Sequence, residues 1–157
     1  MKTPLSKDKY YNLWILLSQT RDALFKARDK ELSQYGISAM ESSALFIIQL
    51  IGGKATPAEI SRYIFREHHT VTALLKRMEK GGLITKVRDF DRKNMWRVSL
   101  TKKGGNAYRQ SLKRETIHTV MSHLSESECQ QLESSLRKVR AQALKHLVTS
   151  EPSLPFP

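Results

Sequence analysis

Apolar residues recur at helical spacing near the start of the chain. Leu13, Leu17, Thr20 and Leu24 follow one another at that spacing, and Tyr10, Trp14 and Phe25 add apolar bulk. The pattern predicts a helix over residues 5–35, with Gly36 as its stop. Ser38 and Glu41 then form an S-x-x-E capping box. The helix it opens, 39–51, is apolar on most sides through Leu45, Phe46, Ile47, Ile48 and Leu50, so it belongs in the middle of a domain. Gly52 and Gly53 end it. A second box, Thr56 and Glu59, has Pro57 at the first helical position and predicts a short helix to residue 65, turning Ile60 and Ile64 inward. Residues 66–69 read as a tight connection. The next helix, to residue 80, places Val71, Leu74, Leu75 and Met78 on one face, and Gly81-Gly82 supplies a left-handed exit.

The period then changes from helix to strand. Residues 83–88 and 95–100 predict two short strands, with 90–94 as an exposed loop between them. Thr101 reads as the N-cap of one long helix to residue 124. Ser125 and Glu128 form a third capping box, opening a last helix to residue 148. Residues 149–157 hold three prolines and are expected to form a disordered tail.

A capped short helix, a tight turn, an amphipathic helix and a hairpin with a charged tip predict a winged helix-turn-helix, in a fold that is mainly α with a small β-hairpin. The second helix of the pair is anchored by one apolar face. Its other face carries His69, Thr72, Ala73 and Lys76, with His68 and Thr70 at its start. Short donors and acceptors plus one long cation suit base edges in a major groove, which at about 12 Å wide admits such a helix. The hairpin tip carries Arg88, Asp89, Phe90, Asp91, Arg92 and Lys93. A basic tip suits the minor groove, and the aspartates are expected to orient Arg88 and Arg92 through ion pairs.

Charge sharpens this picture. The 157 residues include 27 Lys and Arg against 15 Asp and Glu, a formal net charge of +12. Residues 54–114 hold 16 positive and 5 negative side chains, 16 − 5 = +11, so the remainder of the chain carries only +1. The surplus predicts a polyanionic partner at the winged module and near-neutral helices on either side. No apolar run approaches the roughly 20 residues of a membrane span, and no signal peptide is evident, so a cytoplasmic protein without a membrane partner is expected. A single cysteine, Cys129, excludes an intramolecular disulfide and a cysteine-based zinc site. His118 and His123, five apart, do not share a helix face, so no metal site is expected. No phosphate loop, nucleophile–base set or carboxylate pair stands out, so neither catalytic residues nor a cofactor are expected.

Four segments together resemble the MarR family of transcriptional regulators: 56–60, the run from Val71 to Ile84, Asp89 to Lys93 at the tip, and Leu100-Thr101-Lys102-Lys103-Gly104. The resemblance extends over nearly the whole chain. It implies that the first and last helices interlock with a second copy, that the helix-turn-helix reads a pseudo-palindromic operator in double-stranded DNA, and that Arg92 enters the minor groove. It also implies release by a small aromatic or phenolic effector. His68-His69 replaces the small polar residues common at that turn in the family. The expected division is a dimerisation helix over 1–36, the DNA-binding unit over 37–101, dimerisation helices over 102–148 and the tail.

The expected site therefore has three parts. His68, His69, Thr70, Thr72, Ala73 and Lys76 form the reading face. Arg88, Asp91, Arg92 and Lys93 form the wing. Ser38, Thr56, Arg62, Lys102 and Lys103 meet the DNA backbone. The function expected is a repressor at the nucleoid of a bacterium or archaeon. The rival reading is an RNA-binding or architectural winged-helix module that recognises shape. Trp14, Phe25, Phe46 and Tyr10 are read as core or dimer interface before pocket. Cys129, beside Glu126 and Glu128, is read as a small buried or interfacial residue rather than a redox thiolate.

Overall fold

The computed structural model describes residues 6–89, 91 and 95–147. The chain runs α1 (Lys9–Leu32), a 3-10 turn (Ser33–Tyr35), α2 (Ala39–Leu50), β1 (Lys54–Ala55), α3 (Pro57–Ile64), α4 (His68–Lys80), β2 (Ile84–Arg88), β3 (Trp96–Leu100), α5 (Lys102–Ser111), α6 (Glu115–Met121) and α7 (Glu126–His146). The mainly helical class and the winged helix-turn-helix are as the pattern predicts. Residues 149–157, the expected tail, lie outside the described residues.

Local chemistry starts most of these helices. All three capping boxes form: Ser38, Thr56 and Ser125 each accept the amide three residues on, and Glu41, Glu59 and Glu128 reach back to the cap amide. Asp8 starts α1 by accepting from the amides of Tyr10 and Tyr11. The helix α2 sits at the centre. Leu45 and Ile48 are fully buried against Leu32, Ile60, Val71 and Met78. Each such side chain contributes about 1.5–3 kcal/mol on burial, so α2 is the element on which the winged unit is built.

Two elements differ from the sequence expectation. The sheet has three antiparallel strands in the order β1-β3-β2, not a two-stranded hairpin. Gly52 and Gly53 take positive φ and turn the chain back, so Lys54 and Ala55 pair with Ser99 and Val98 on the open edge of β3. The expected single helix over 102–124 is broken into α5 and α6. Arg114 sits between them at φ 52, the left-handed region. Two side chains of α1 support the break. Arg28 donates to the Ser111 carbonyl at 2.6 Å, and Glu31 accepts the amides of Glu115 and Thr116 at 2.8 and 3.2 Å. Helix ends leave carbonyls and amides unsatisfied, and this pair supplies partners on both sides of the gap.

The start of α5 lies hard against the entry to β2. Thr101 donates to the Gly82 carbonyl, and a Cβ added at Gly104 would fall 1.9 Å from the Leu83 carbonyl oxygen. Only glycine allows that approach. By contrast, the first half of α1 and most of α7 stand clear of the core. Leu13, Trp14 and Leu16 on α1, and Leu132, Leu136 and Val139 on α7, are exposed, and α7 buries only Leu144.

Candidate nucleic-acid interface

The helix α4 begins at His68, not after residue 69, so both histidines belong to its first turn. Val71, Leu74, Leu75 and Met78 are buried beneath it. His68, His69, Thr70, Thr72, Ala73 and Lys76 are all exposed on the opposite side. Thr72 donates its hydroxyl to the His68 carbonyl at 2.9 Å, which fixes the rotor and leaves its oxygen as an acceptor. Glu67 occupies the N-cap without a side-chain capping bond, so no side chain of that residue covers the leading amides of α4. Such an end favours anions.

The turn before α4 is tight because Phe65 caps α3 in the left-handed region at φ 52. Ser61 donates to the Arg66 carbonyl at 2.5 Å and ties the turn to α3. The helix α4 is thus held by buried apolar contacts on one side and a fixed turn at its start.

The wing is held differently from the expectation. Asp89 is engaged by Arg97 on the opposite strand, Nε to Oδ2 at 3.0 Å, rather than by its neighbour Arg88. The same guanidinium reaches Glu59 at 3.5 Å, and Glu59 is the capping carboxylate of α3. Asp89 also accepts the Asp91 amide at 3.1 Å, turning the chain at the tip. Arg97 therefore ties the wing to the helix-turn-helix. Sequence reading missed it; its place on β3 among alternating residues gave no sign of partners 8 and 38 positions away. Arg88 and Asp91 are exposed at this end of the hairpin. Arg92 and Lys93, the remaining expected wing residues, lie outside the described residues, as does Phe90.

The expected backbone contacts divide. Arg62 on α3 and Lys102 at the start of α5 are exposed cations. Lys103 donates to the Gly81 carbonyl at 2.8 Å, at the far end of α4 from the turn that follows α3. Ser38 is half-buried in its capping box. Thr56 is 7% exposed, its hydroxyl accepts the Glu59 amide and its own amide donates to Glu59. The cap engages its hydroxyl oxygen and its amide, and burial turns the residue away from solvent.

Beside the winged unit lies a cavity of about 900 Å³ between α1, α2, the α5–α6 joint and α7. Its walls are mainly apolar and include Leu24, Phe25, Phe46, Ile117 and Val120. Phe25 and Phe46 thus line a pocket, whereas Tyr10 and Trp14 are exposed side chains of α1 outside it. Polar groups collect at the joint: Arg28, Ser111, Arg114 and Thr116. Arg28 pairs with Glu31 at 2.7 Å, with side chains 13% and 5% exposed. Burial pushes the Glu31 carboxyl up, but hydrogen bonds from Arg28 and Thr116 outweigh it and hold the group below its ordinary value. His123 also lines the cavity, bonded through Nδ1 to the Thr119 carbonyl oxygen. Cys129 is half-buried beside a neighbouring pocket lined by Leu17, Leu132 and Leu136. Among the described residues no group of His, Cys, Asp and Glu is placed to hold a metal ion.

Comparison with known proteins agrees with this geometry. The sequence model of the MarR family matches residues 35–91. Among solved structures, an organohalide-sensing transcriptional regulator in its 2,4-dichlorophenol-bound form superposes with a TM-score of 0.86 at 27% identity, covering 100% of this chain and 99% of that one. A MarR family protein from Bacillus stearothermophilus gives a TM-score of 0.68 at 25% identity, covering 89% and 99%. A mutant of MarR from E. coli complexed with operator DNA shares the fold, with a TM-score of 0.76 at 22% identity over 81% of this chain and 92% of that one. No curated protein matches the chain.

Proposed function

We infer that this chain, which belongs to the MarR family of winged-helix transcriptional regulators, binds duplex operator DNA as a homodimer and represses transcription until a small aromatic ligand releases it. The observation that carries the reading is α4: one face buried, the other bearing His69, Thr72, Ala73 and Lys76, with an N-terminus free of a side-chain cap. Residues 54–114, which include this helix, carry a net charge of +11. Phosphate contacts from Arg62, Arg88, Lys93 and Lys102 supply affinity and its salt dependence. The α4 face and Arg92 supply selectivity for sequence and groove shape.

The exposed apolar residues of α1 and α7 support pairing between two copies, because a monomer would leave them in water. On this reading residues 1–36 and 102–148 carry the dimer helices, and 37–101 bind DNA with Lys102 beside them. A two-fold dimer sets its reading helices about one duplex turn apart, which matches a pseudo-palindrome. The solved relative that holds 2,4-dichlorophenol supports a phenolic ligand for the 900 Å³ cavity. Members of the family are regulators rather than enzymes, and no cofactor enters this mechanism. The protein works in the cytoplasm at the nucleoid, and no described helix is long and apolar enough to cross a membrane.

Selection from a random duplex pool with the purified chain tests the reading. It should enrich two related half-sites about 10 base pairs apart, centre to centre. A pool that stays random after repeated rounds would contradict it.

A further inference from the structure

Resting on the reading of the 900 Å³ cavity as an effector site, we propose that Arg28 recognises an anionic oxygen of the ligand and that this exchange unlocks the α5–α6 joint. The apolar walls accept an aromatic body, and Arg28, Arg114 and Thr116 gather the polar end at one place. Arg28 is already the clasp of the joint, with Nη1 on Glu31 at 2.7 Å and Nη2 on the Ser111 carbonyl at 2.6 Å.

The two acceptors are unequal. Glu31 is charged and also holds the amides of Glu115 and Thr116. The Ser111 carbonyl is neutral. A phenolate or carboxylate oxygen makes a charge-assisted bond roughly twice as strong as a neutral one, so it displaces the carbonyl and leaves the Glu31 pair in place. The end of α5 then loses its tether to α1, while α6 stays capped by Glu31. Because α5 packs on α2 and β3, whereas α6 packs on α1, the released joint lets the winged unit shift against the flanking helices. That shift changes the spacing of two reading helices in a dimer, and the ligand's preference for the released state moves the population off DNA.

Titration calorimetry on the full chain tests this with two probes, 2,4-dichlorophenol at a pH where it is ionised and its methyl ether, 2,4-dichloroanisole. The ether keeps the ring and chlorines but has no anionic oxygen. The phenolate should bind the wild type at least about tenfold more tightly than the ether. It should also speed amide exchange over residues 111–113, which the ether leaves unchanged, while the amides of Glu115 and Thr116 stay protected on Glu31. In Arg28→Lys the charge beside Glu31 remains, but one ammonium cannot present a planar fork to two acceptors. The preference for the phenolate should fall there to within about threefold, since the bidentate geometry is gone. Equal binding of both probes to the wild type, or a full preference retained in Arg28→Lys, would overturn the proposal. Wild-type protein that shows the preference yet binds no duplex would instead remove the regulator reading and leave Arg28 as the ligand's anchor.

Discussion

Arg97 and Glu31 each join parts of the chain that the sequence keeps far apart. Arg97 holds Asp89 at the wing and Glu59 at the start of α3. Asp89 has a side chain only 9% exposed, so removing a cationic partner leaves a poorly solvated carboxylate. Arg97→Ala should destabilise the chain by about 1–3 kcal/mol in denaturant unfolding. It should also weaken minor-groove protection in a footprint more than major-groove protection, and equal loss in both grooves would count against a wing-specific tether. Glu31 gives a pH signature. Its folded value lies below its ordinary value of 4.5, so its contribution is present above 4.5 and is lost as pH falls through the lower folded value. Glu31→Gln should flatten the stability–pH curve below 4.5 and leave its shape near neutrality unchanged. A curve as steep as the wild type's below that pH would show that other carboxylates set the acid limit.

Elements were legible where their causes are local. The three capping boxes are spacings of three residues, and each forms as read. The buried face of α4 follows directly from its i, i+3, i+4, i+7 pattern. Features set by distant partners were not legible. The strand β1 has two residues, too few for any period, and exists because β3 offers an open edge. The break at Arg114 depends on Arg28 and Glu31, more than 80 positions earlier. The exposed face of α4 was visible in the sequence, but the tether of the wing and the burial of Thr56 were not. Gly104 lies in a segment that the family resemblance marks, and the fold supplies its reason, the close approach to Leu83. Gly104→Ala should cost at least about 1–3 kcal/mol, because a Cβ there overpacks against backbone that cannot rotate away. Thermal unfolding measures it, and a melting point equal to the wild type's would mean that α5 can slide off β2 freely.

At the scale of the whole molecule, charge and apolar surface are segregated. Residues 54–114, which carry +11, run from β1 past the end of α5, while most of the exposed large apolar residues lie on α1, α6 and α7; Phe65, Trp96 and Leu112 fall inside the charged segment. That separation suits a protein that meets DNA on one side and its own copy on the other. Truncation before Ser125 removes α7 and should yield monomer or aggregate in sedimentation, because the apolar residues of α1 lose their cover. A soluble truncated dimer that still binds duplex would contradict pairing through α7. Reading one particular duplex differs from binding nucleic acid in general. Competition binding at one fixed salt concentration measures this, with the selected duplex set against bulk duplex and structured RNA. The selected duplex should be preferred by at least about 10³-fold over both competitors. A ratio near one, or RNA binding as tightly as the selected duplex, would contradict it.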